Sequence, residues 1–531
     1  MIFTRFKDRT YGSEVFSLPE TLTFAQKGVG KAGGDAFAAF CPQAVLTDSD
    51  DAAVTFDVDL SLENKAEIYK ITIEEQKITV GSREPRGFVN GAATLALLLR
   101  EGEVRTGVIT DYPDCTYRSF MIDLGRGILP FDELKSIIFH MTLAKYNRVH
   151  IHLMESYGLC YRSEAMKGLG SKDGEQYSIS QMRELARYCQ LFSMEIIPEV
   201  ELPAHATAVT ALYPSLVCDT DPGCHWTVCP GTEELWEHYD RLIGEVVNIF
   251  PCEYVHIGTD ELEMPGAGDG KYFCFWDSCS KCRALREREK LADMREEFYY
   301  LVNRMHEIVL SHGKKMMMWN DQVDVSKDVP LPRDILIEFW RVAMPGRGPV
   351  EGCSMQGFLE KGFRVINANY PYTYVDLEHY LSVEKMMTWT PTKFPETDTA
   401  YHGQIIGGES CAWEVGNSAD YPHYGTTMYP AMMLFADKLW DHRDREYTDE
   451  DRRAMSLYLF GKPMEQDVFA CFGSLLPPRT SRKHTYAERV DGNLVRACIE
   501  ELSGVEDTPF AWTARKYTER LTAILESDVC Q

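Results

Sequence analysis

Asp260 and Glu261 stand side by side, preceded by His256-Ile-Gly-Thr. Adjacent carboxylates do not both ionise cheaply where water is scarce, so one of such a pair is suited to carry a proton while the other stays charged. A protonated Glu261 would act as general acid to a leaving oxygen, and an ionised Asp260 would hold a different part of the same molecule. In isolation, Asp-Glu reads more readily as a helix cap or the ion pair of a turn than as a catalytic pair. Its position in the fold decides between these readings.

Short apolar runs alternate with longer amphipathic stretches from about Tyr117 onward. Eight runs read as strands: Ser119–Leu124, Arg148–Leu153, Met194–Glu199, Tyr254–Gly258, Lys315–Trp319, Ile335–Phe339, Arg364–Ala368 and Gln404–Gly408. Phe131–Tyr146, Ile179–Phe192, Thr232–Phe250 and Met294–His312 carry helical spacing between them. Eight β-α alternations predict an α/β fold, a parallel (β/α)8 barrel of the TIM type. In such barrels, polar residues at the C-terminal strand ends do the chemistry. Here those ends carry Asp123 and Arg126, His150, His152 and Glu155, Glu199 and His205, Asp260 and Glu261, Trp319 and Asp321, Glu338 and Trp340, Tyr370, Tyr372, Tyr374 and Asp376, and Glu409, Trp413 and Glu414. Indole faces stack on the C–H faces of a pyranose, and acids with an arginine hydrogen-bond its hydroxyls, so the mouth is predicted to hold a carbohydrate. No Walker A run and no Gly-x-Gly-x-x-Gly stands where a phosphate would need it.

A chain of 531 residues with 44% hydrophobic residues supports two or three domains. Residues 1–113 read as a small α+β domain. Ala66–Ile73 alternates like a strand, Lys77–Gly81 like its hairpin partner, and Gly87–Arg100 like a helix. The Asp111-Tyr-Pro-Asp114 break leads into the barrel, residues 114–445, and residues 446–531 read as a short helical region interrupted at Pro477-Pro478. Net charge, 55 − 81 = −26, opposes nucleic acid and anionic membranes. No apolar run of about 18 residues suggests a membrane span. The N-terminus lacks a secretory pattern, which points to a cytoplasmic protein with reduced thiols. Among sixteen cysteines, Cys279-Ser-Lys-Cys282 has a zinc-ligand spacing, but Cys218, Cys224, Cys229 and Cys274 are unevenly placed. Reduced or loosely paired thiols are therefore the expectation, and no metal or cofactor is assigned.

His256-Ile-Gly-Thr-Asp260-Glu261 resembles the His-x-Gly-x-Asp-Glu signature of glycoside hydrolase family 20, the β-N-acetylhexosaminidases. Met121–Arg126, His150–Leu153 and Ile197–His205 resemble that family's first three barrel strands, and Cys229-Pro-Gly231, Tyr429-Pro430 and Leu439-Trp440 echo further positions. The resemblance covers roughly residues 60 to 445 and implies an exo-acting, retaining hydrolase of terminal β-linked GlcNAc or GalNAc. Its nucleophile is the substrate's own acetamido carbonyl, the exception to two-carboxylate catalysis. On this model Glu261 is the acid and base, and Asp260 orients the acetamido N–H. Tyr374, with Asp376, donates to the acetamido oxygen, and Trp319, Trp340 and Trp413 wall the pocket. Arg126 and Glu414 bind sugar hydroxyls, while His205, Glu155 and His256 support the acids.

The sequence departs from the family in places. The second strand continues Glu155-Ser-Tyr-Gly-Leu159 rather than Asp-Asp-Gln-Gly-Trp, which makes Glu155 the candidate partner of His205. Trp413-Glu414 is one residue shorter than Trp-x-Glu, and Ala431 stands where an arginine is frequent. Two other readings compete: a non-catalytic glycan-binding protein on the same scaffold, and a metal-dependent enzyme using His205, His256 and Asp260. The C-terminal helices are expected either to form a homodimer contact or to cap the barrel.

Overall fold

The computed structural model describes residues 6–262, 274–341, 352–375, 383–392, 394, 397–414, 424–444, 446–472, 490–506 and 508–526. Its centre is a closed barrel of eight parallel strands: Tyr117–Asp123, Arg148–His152, Glu195–Leu202, Tyr254–Gly258, Lys315–Trp319, Leu336–Phe339, Arg364–Asn367 and Ile405–Ala412. The eighth pairs with the first, from Gly407 opposite Tyr117 to Ala412 opposite Ile122, and closes the ring. These strands are buried on both faces, which is why they read as apolar runs rather than as alternations. The third strand continues to Leu202, beyond the expected Glu199, and the eighth to Ala412, beyond Gly408.

Helices Phe131–Leu143, Ile179–Leu191, Glu233–Ile249 and Met294–Ser311 line the outside. The first stops short of the expected Tyr146 because Lys145 turns the chain at φ 65°. Ser178 and Gln181 form a reciprocal capping box at the second, and Asp293 accepts from the Arg295 and Glu296 N–H groups at the fourth. Among the described residues after the sixth and seventh strands, the helical segments are short: Met355–Glu360, Tyr370–Thr373, Val383–Thr388 and Thr399–Gln404.

The N-terminal domain is a seven-stranded sheet in the order Asp8–Val15, Arg105–Asp111, Tyr69–Ile73, Ile78–Ser82, Val54–Val58, Thr23–Gln26 and Val45–Leu46. Tyr69–Ile73 and Ile78–Ser82 form the expected antiparallel hairpin. Helices Lys31–Phe40 and Pro85–Glu101 pack on each other and bury Phe37, Phe88 and Val89 against the sheet's Phe56 and Val80.

This domain is fastened to the barrel by buried charge. Glu67 accepts from Arg118 Nη2 at 2.5 Å and from Asn147 Nδ2 at 2.6 Å. Asp111 accepts from Lys145 Nζ at 3.2 Å, Tyr69 Oη at 3.0 Å and Trp440 Nε1 at 2.9 Å. Arg118 is only 1% exposed, so removing its partner leaves a cation with no water to turn to. Glu67→Gln is therefore expected to destabilise the chain by about 3–5 kcal/mol in urea unfolding. An unchanged midpoint and slope would show that this pair does not hold the domains together.

The C-terminal helices are Asp449–Phe460, Gly492–Ser503 and Thr508–Leu525, while Pro477-Pro478 lies outside the described residues. The last helix packs on the barrel's flank. Phe510 meets Phe139 edge-on at 5.3 Å and His140 at 5.5 Å, and Tyr517 meets Phe460 at 5.1 Å. No helix among the described residues is long and apolar enough to cross a membrane.

Candidate active site

Successive inward residues of a barrel strand lie two apart, so the interior is built in layers. The floor is one apolar cluster of Tyr117, Ile197, Tyr254, Met317, Leu336 and Ile366. Two residues further along the strands lie Glu199, His256 and Glu338, joined by His150 and Glu409, all fully buried. His150 Nδ1 lies 2.7 Å from Glu409 Oε1 and its Nε2 lies 3.1 Å from Glu199 Oε2. Burial alone would lower the His150 pKa, but Glu409 and Glu199 lift it well above the imidazole range. Burial and Glu409 push Glu338 well above the carboxylate range, so it keeps its proton. The layer thus pairs charged with neutral groups instead of crowding five charges together.

Two residues further still is the mouth, with His152, Glu201, Gly258, Asp321 and Trp340, while Trp319 stands at the level of Glu199 and His256. Here the backbone is strained: His205 has φ 53°, Thr259 87°, Glu261 48°, Gln322 60° and Glu414 58°. Positive φ is costly for a β-branched threonine, and such residues gather at functional sites. Gly258 adopts φ 70°, and a Cβ there would stand 2.1 Å from Glu201 Oε2. The glycine of the His-x-Gly-x-Asp-Glu run is thus needed both for its turn and for its neighbour.

The mouth's acids and bases form a chain of alternating sign. Arg126 Nη1 donates to Asp123 Oδ2 at 3.0 Å, and its Nη2 lies 2.9 Å from Glu155 Oε2. Glu155 Oε1 lies 2.8 Å from His205 Nδ1. His205 Nε2 lies 3.2 Å from Asp260 Oδ2 and 3.6 Å from Glu261 Oε2. Burial would lower the His205 pKa, but Glu155 and Asp260 raise it well above its ordinary value. Burial would raise Glu155, yet Arg126 and His205 hold it well below the usual range. His205 is therefore a cation braced against the acid pair. Asp260 Oδ1 is buried and meets no hydrogen-bond partner among the described residues.

Beside it is an apolar cup. Trp319, Trp340, Tyr370, Tyr374, Met121, Ala368 and Cys411 form one cluster, with Trp413 packed against it. Trp340 stacks on Tyr374 at 5.9 Å and 13°, and Trp413 lies 5.9 Å from Tyr374 and 6.1 Å from Trp319. Two of the walls are pinned: Trp319 Nε1 donates to Glu199 at 2.7 Å, and Trp340 Nε1 to Asp321 Oδ2 at 2.5 Å. The Arg126 guanidinium sits 4.9 Å over the Trp413 ring. Glu414 follows, its N–H donating to Asp123 Oδ2 at 3.0 Å.

The structure therefore brings together Asp260, Glu261, His205, Glu155 and Arg126 on one side and Trp319, Trp340, Tyr374 and Trp413 on the other. Asp376 lies outside the described residues. His256 sits a layer deeper, its Nδ1 2.8 Å from Glu199 Oε1. Among the described residues, His256 gathers with His150 and Glu199, not with His205 and Asp260, which removes the metal set of the competing reading. Three contributors, Glu201, Arg341 and Trp226, were not assigned from sequence, and Asp321 was placed at a strand end without a role. Glu201 is pushed well above the carboxylate range by burial and by Asp260, so it faces the mouth uncharged. Asp321 is raised to about 6 by burial, against the pull of Arg341, and receives the Glu261 N–H at 3.4 Å. Arg341 Nη1 donates to Asp321 at 2.6 Å. Trp226 packs against His205, ring centroids 4.5 Å apart and planes tilted by 52°, and donates from Nε1 to the Glu261 carbonyl at 3.2 Å. The period-two pair Glu199 and Glu201 was the available signal for Glu201; nothing near Trp226 in sequence marks it.

Residues 115–443 match the model of the glycosyl hydrolase family 20 catalytic domain, and residues 14–112 match that family's domain 2. The chain belongs to glycosyl hydrolase family 20. As a family 20 member it is a glycoside hydrolase. A β-hexosaminidase of Akkermansia muciniphila is 26% identical over 416 residues, covering 71% of this chain and 80% of the relative. The rat β-hexosaminidase subunit alpha is 23% identical over 389 residues, covering 70% of each. Among solved structures, a family 20 exo-β-N-acetylglucosaminidase of Vibrio harveyi superposes with a TM-score of 0.72 at 20% identity, over 85% of this chain and 76% of that one. A β-N-acetylhexosaminidase of Bacteroides fragilis does so with 0.70 at 21% identity, over 84% and 92%. These likenesses extend the family assignment to the fold.

Proposed function

We propose that this family 20 enzyme is an exo-acting β-N-acetylhexosaminidase that cleaves terminal β-linked GlcNAc or GalNAc with retention, using the substrate's acetamido group as nucleophile. The observation that carries the reading is the buried, unpartnered Asp260 Oδ1 beside the Trp319, Trp340, Tyr374 and Trp413 cup. A carboxylate oxygen without a donor, next to an aromatic pocket of that size, suits an N–H followed by a methyl group. The sugar's acetamido N–H would donate to Asp260, and its methyl would enter the cup.

In the first step the acetamido carbonyl oxygen bonds to C1 as the glycosidic C–O bond breaks. Glu261 gives its proton to the departing oxygen. The resulting oxazolinium ion is positive, and Asp260 counters that charge while the His205 cation keeps Asp260 in place. Glu261 then takes a proton from water as the water oxygen attacks C1, which reopens the ring with net retention. Arg126, 19% exposed and anchored by Asp123 and Glu155, holds sugar hydroxyls away from the acetamido group.

The test is release of nitrophenol from nitrophenyl N-acetyl-β-glucosaminide and its galacto epimer, with a thiazoline mimic of the oxazoline as inhibitor. Hydrolysis of at least one epimer and tight, competitive thiazoline inhibition are expected. Release from neither would leave a glycan-binding role for the scaffold and overturn the reading.

A further inference from the structure

Four thiols converge outside the sugar-facing mouth. Cys218 and Cys229 follow the third barrel strand, and Cys279 and Cys282 follow the fourth. Cys218 Sγ lies 3.9 Å from Cys282 Sγ, and Cys229 Sγ lies 3.7 Å from Cys279 and 3.5 Å from Cys282. All four sulfurs lie within 4.8 Å of one another, and all four residues are buried. A disulfide brings its sulfurs to about 2.05 Å. Four thiolates around Zn2+ at about 2.3 Å stand about 3.8 Å apart, which is the spacing found here.

The local backbone is shaped for this. Cys279 is the N-cap of helix Ser280–Glu289, and Cys282 lies in its first turn. Opposite, the Cys229-Pro230-Gly231 turn presses on that helix so closely that a Cβ at Gly231 would stand 2.5 Å from the Lys281 carbonyl carbon. Only glycine permits the approach that delivers Cys229. The two segments are tied around the thiols: Ser280 N–H donates to Asp219 Oδ1 at 3.0 Å, Lys281 Nζ to the Val217 carbonyl at 2.8 Å, and Trp276 Nε1 to the Val228 carbonyl at 2.9 Å.

We propose that Cys218, Cys229, Cys279 and Cys282 bind one structural Zn2+ that clamps the segment after the third barrel strand to the segment after the fourth. The uneven spacing that argued against such a site in the sequence is explained by the fold: the second pair need not be a knuckle, because two different loops supply its members. Four protein ligands leave no open position, so the ion is a fastener and not a reaction centre. Its consequence for the mouth is positional. The same segment carries Trp226, which packs against His205 and donates to the Glu261 carbonyl, so the clamp sets where the acid pair lies.

The test is metal analysis of the untagged full chain, purified under reducing conditions without added metal. About one zinc per chain is expected. Titrating the thiols with a mercurial should release that zinc in step with reaction of four cysteines. Cobalt substituted for zinc should give thiolate-to-metal charge-transfer absorption. Cys282→Ser should lose the zinc, while Cys189→Ser, a buried cysteine elsewhere, should keep it. Wild-type chain that holds no zinc and takes up none on titration would overturn the proposal, and so would iron in its place. An intact mass showing a disulfide among the four would overturn it as well. The wild-type measurements stand even if the Cys282 variant does not fold.

Discussion

Replacing Glu261 with glutamine is expected to lower kcat on nitrophenyl N-acetyl-β-glucosaminide by about 10²–10⁴. Glutamine keeps the shape beside His205 and the backbone turn that Trp226 and Asp321 hold, but it carries no proton to give. The loss should therefore fall on kcat and leave the melting temperature near that of the wild type. It should also grow with a poorer leaving group, because a nitrophenolate departs with little protonation whereas a sugar alkoxide does not. Activity within a few-fold of wild type on both kinds of substrate would remove Glu261 from the acid role.

Asp260→Asn should be nearly as damaging, by about 10²–10³ in kcat, for a different reason. Asp260 shares its two oxygens between the His205 cation and the space beside the aromatic cup. An amide there no longer opposes the positive charge of an oxazolinium ion, and its NH2 can meet the acetamido N–H as donor against donor. The variant should accordingly lose more affinity for the charged thiazoline mimic than for the N-acetylhexosamine product. Equal loss for both ligands would mean that Asp260 merely shapes the pocket.

Much of this was legible before any coordinates. The barrel strands showed because each is buried on both faces and written in apolar residues, with acids at its end. The acid pair showed because His256, Gly258, Asp260 and Glu261 share one short run, and Gly258 proves to be required by the Glu201 carboxylate that it faces. What stayed hidden depends on contacts between distant segments. Trp226 acts through the far side of a loop, and Asp321, visible as a strand-end acid, acts on a backbone N–H sixty residues away. The barrel's charged layer was spread over five strands, so its histidines read as isolated. In the first domain, strands as short as Thr23–Gln26 and Val45–Leu46 are too brief to display a period.

The terminal helix Thr508–Leu525 has a practical consequence for anyone dissecting the chain. The family's catalytic span closes at residue 443, which invites trimming there for crystallisation or library screening. Yet Ser136 Oγ donates to the Pro509 carbonyl at 2.8 Å, and His140 rests against Phe510, Tyr458 and Tyr429. A fragment cut at that boundary would surrender Phe510 and Tyr458 and leave a greasy flank on the barrel's first helix. Such a protein should express as aggregates even with every mouth residue present, and shortening is better begun from residue 526 inward.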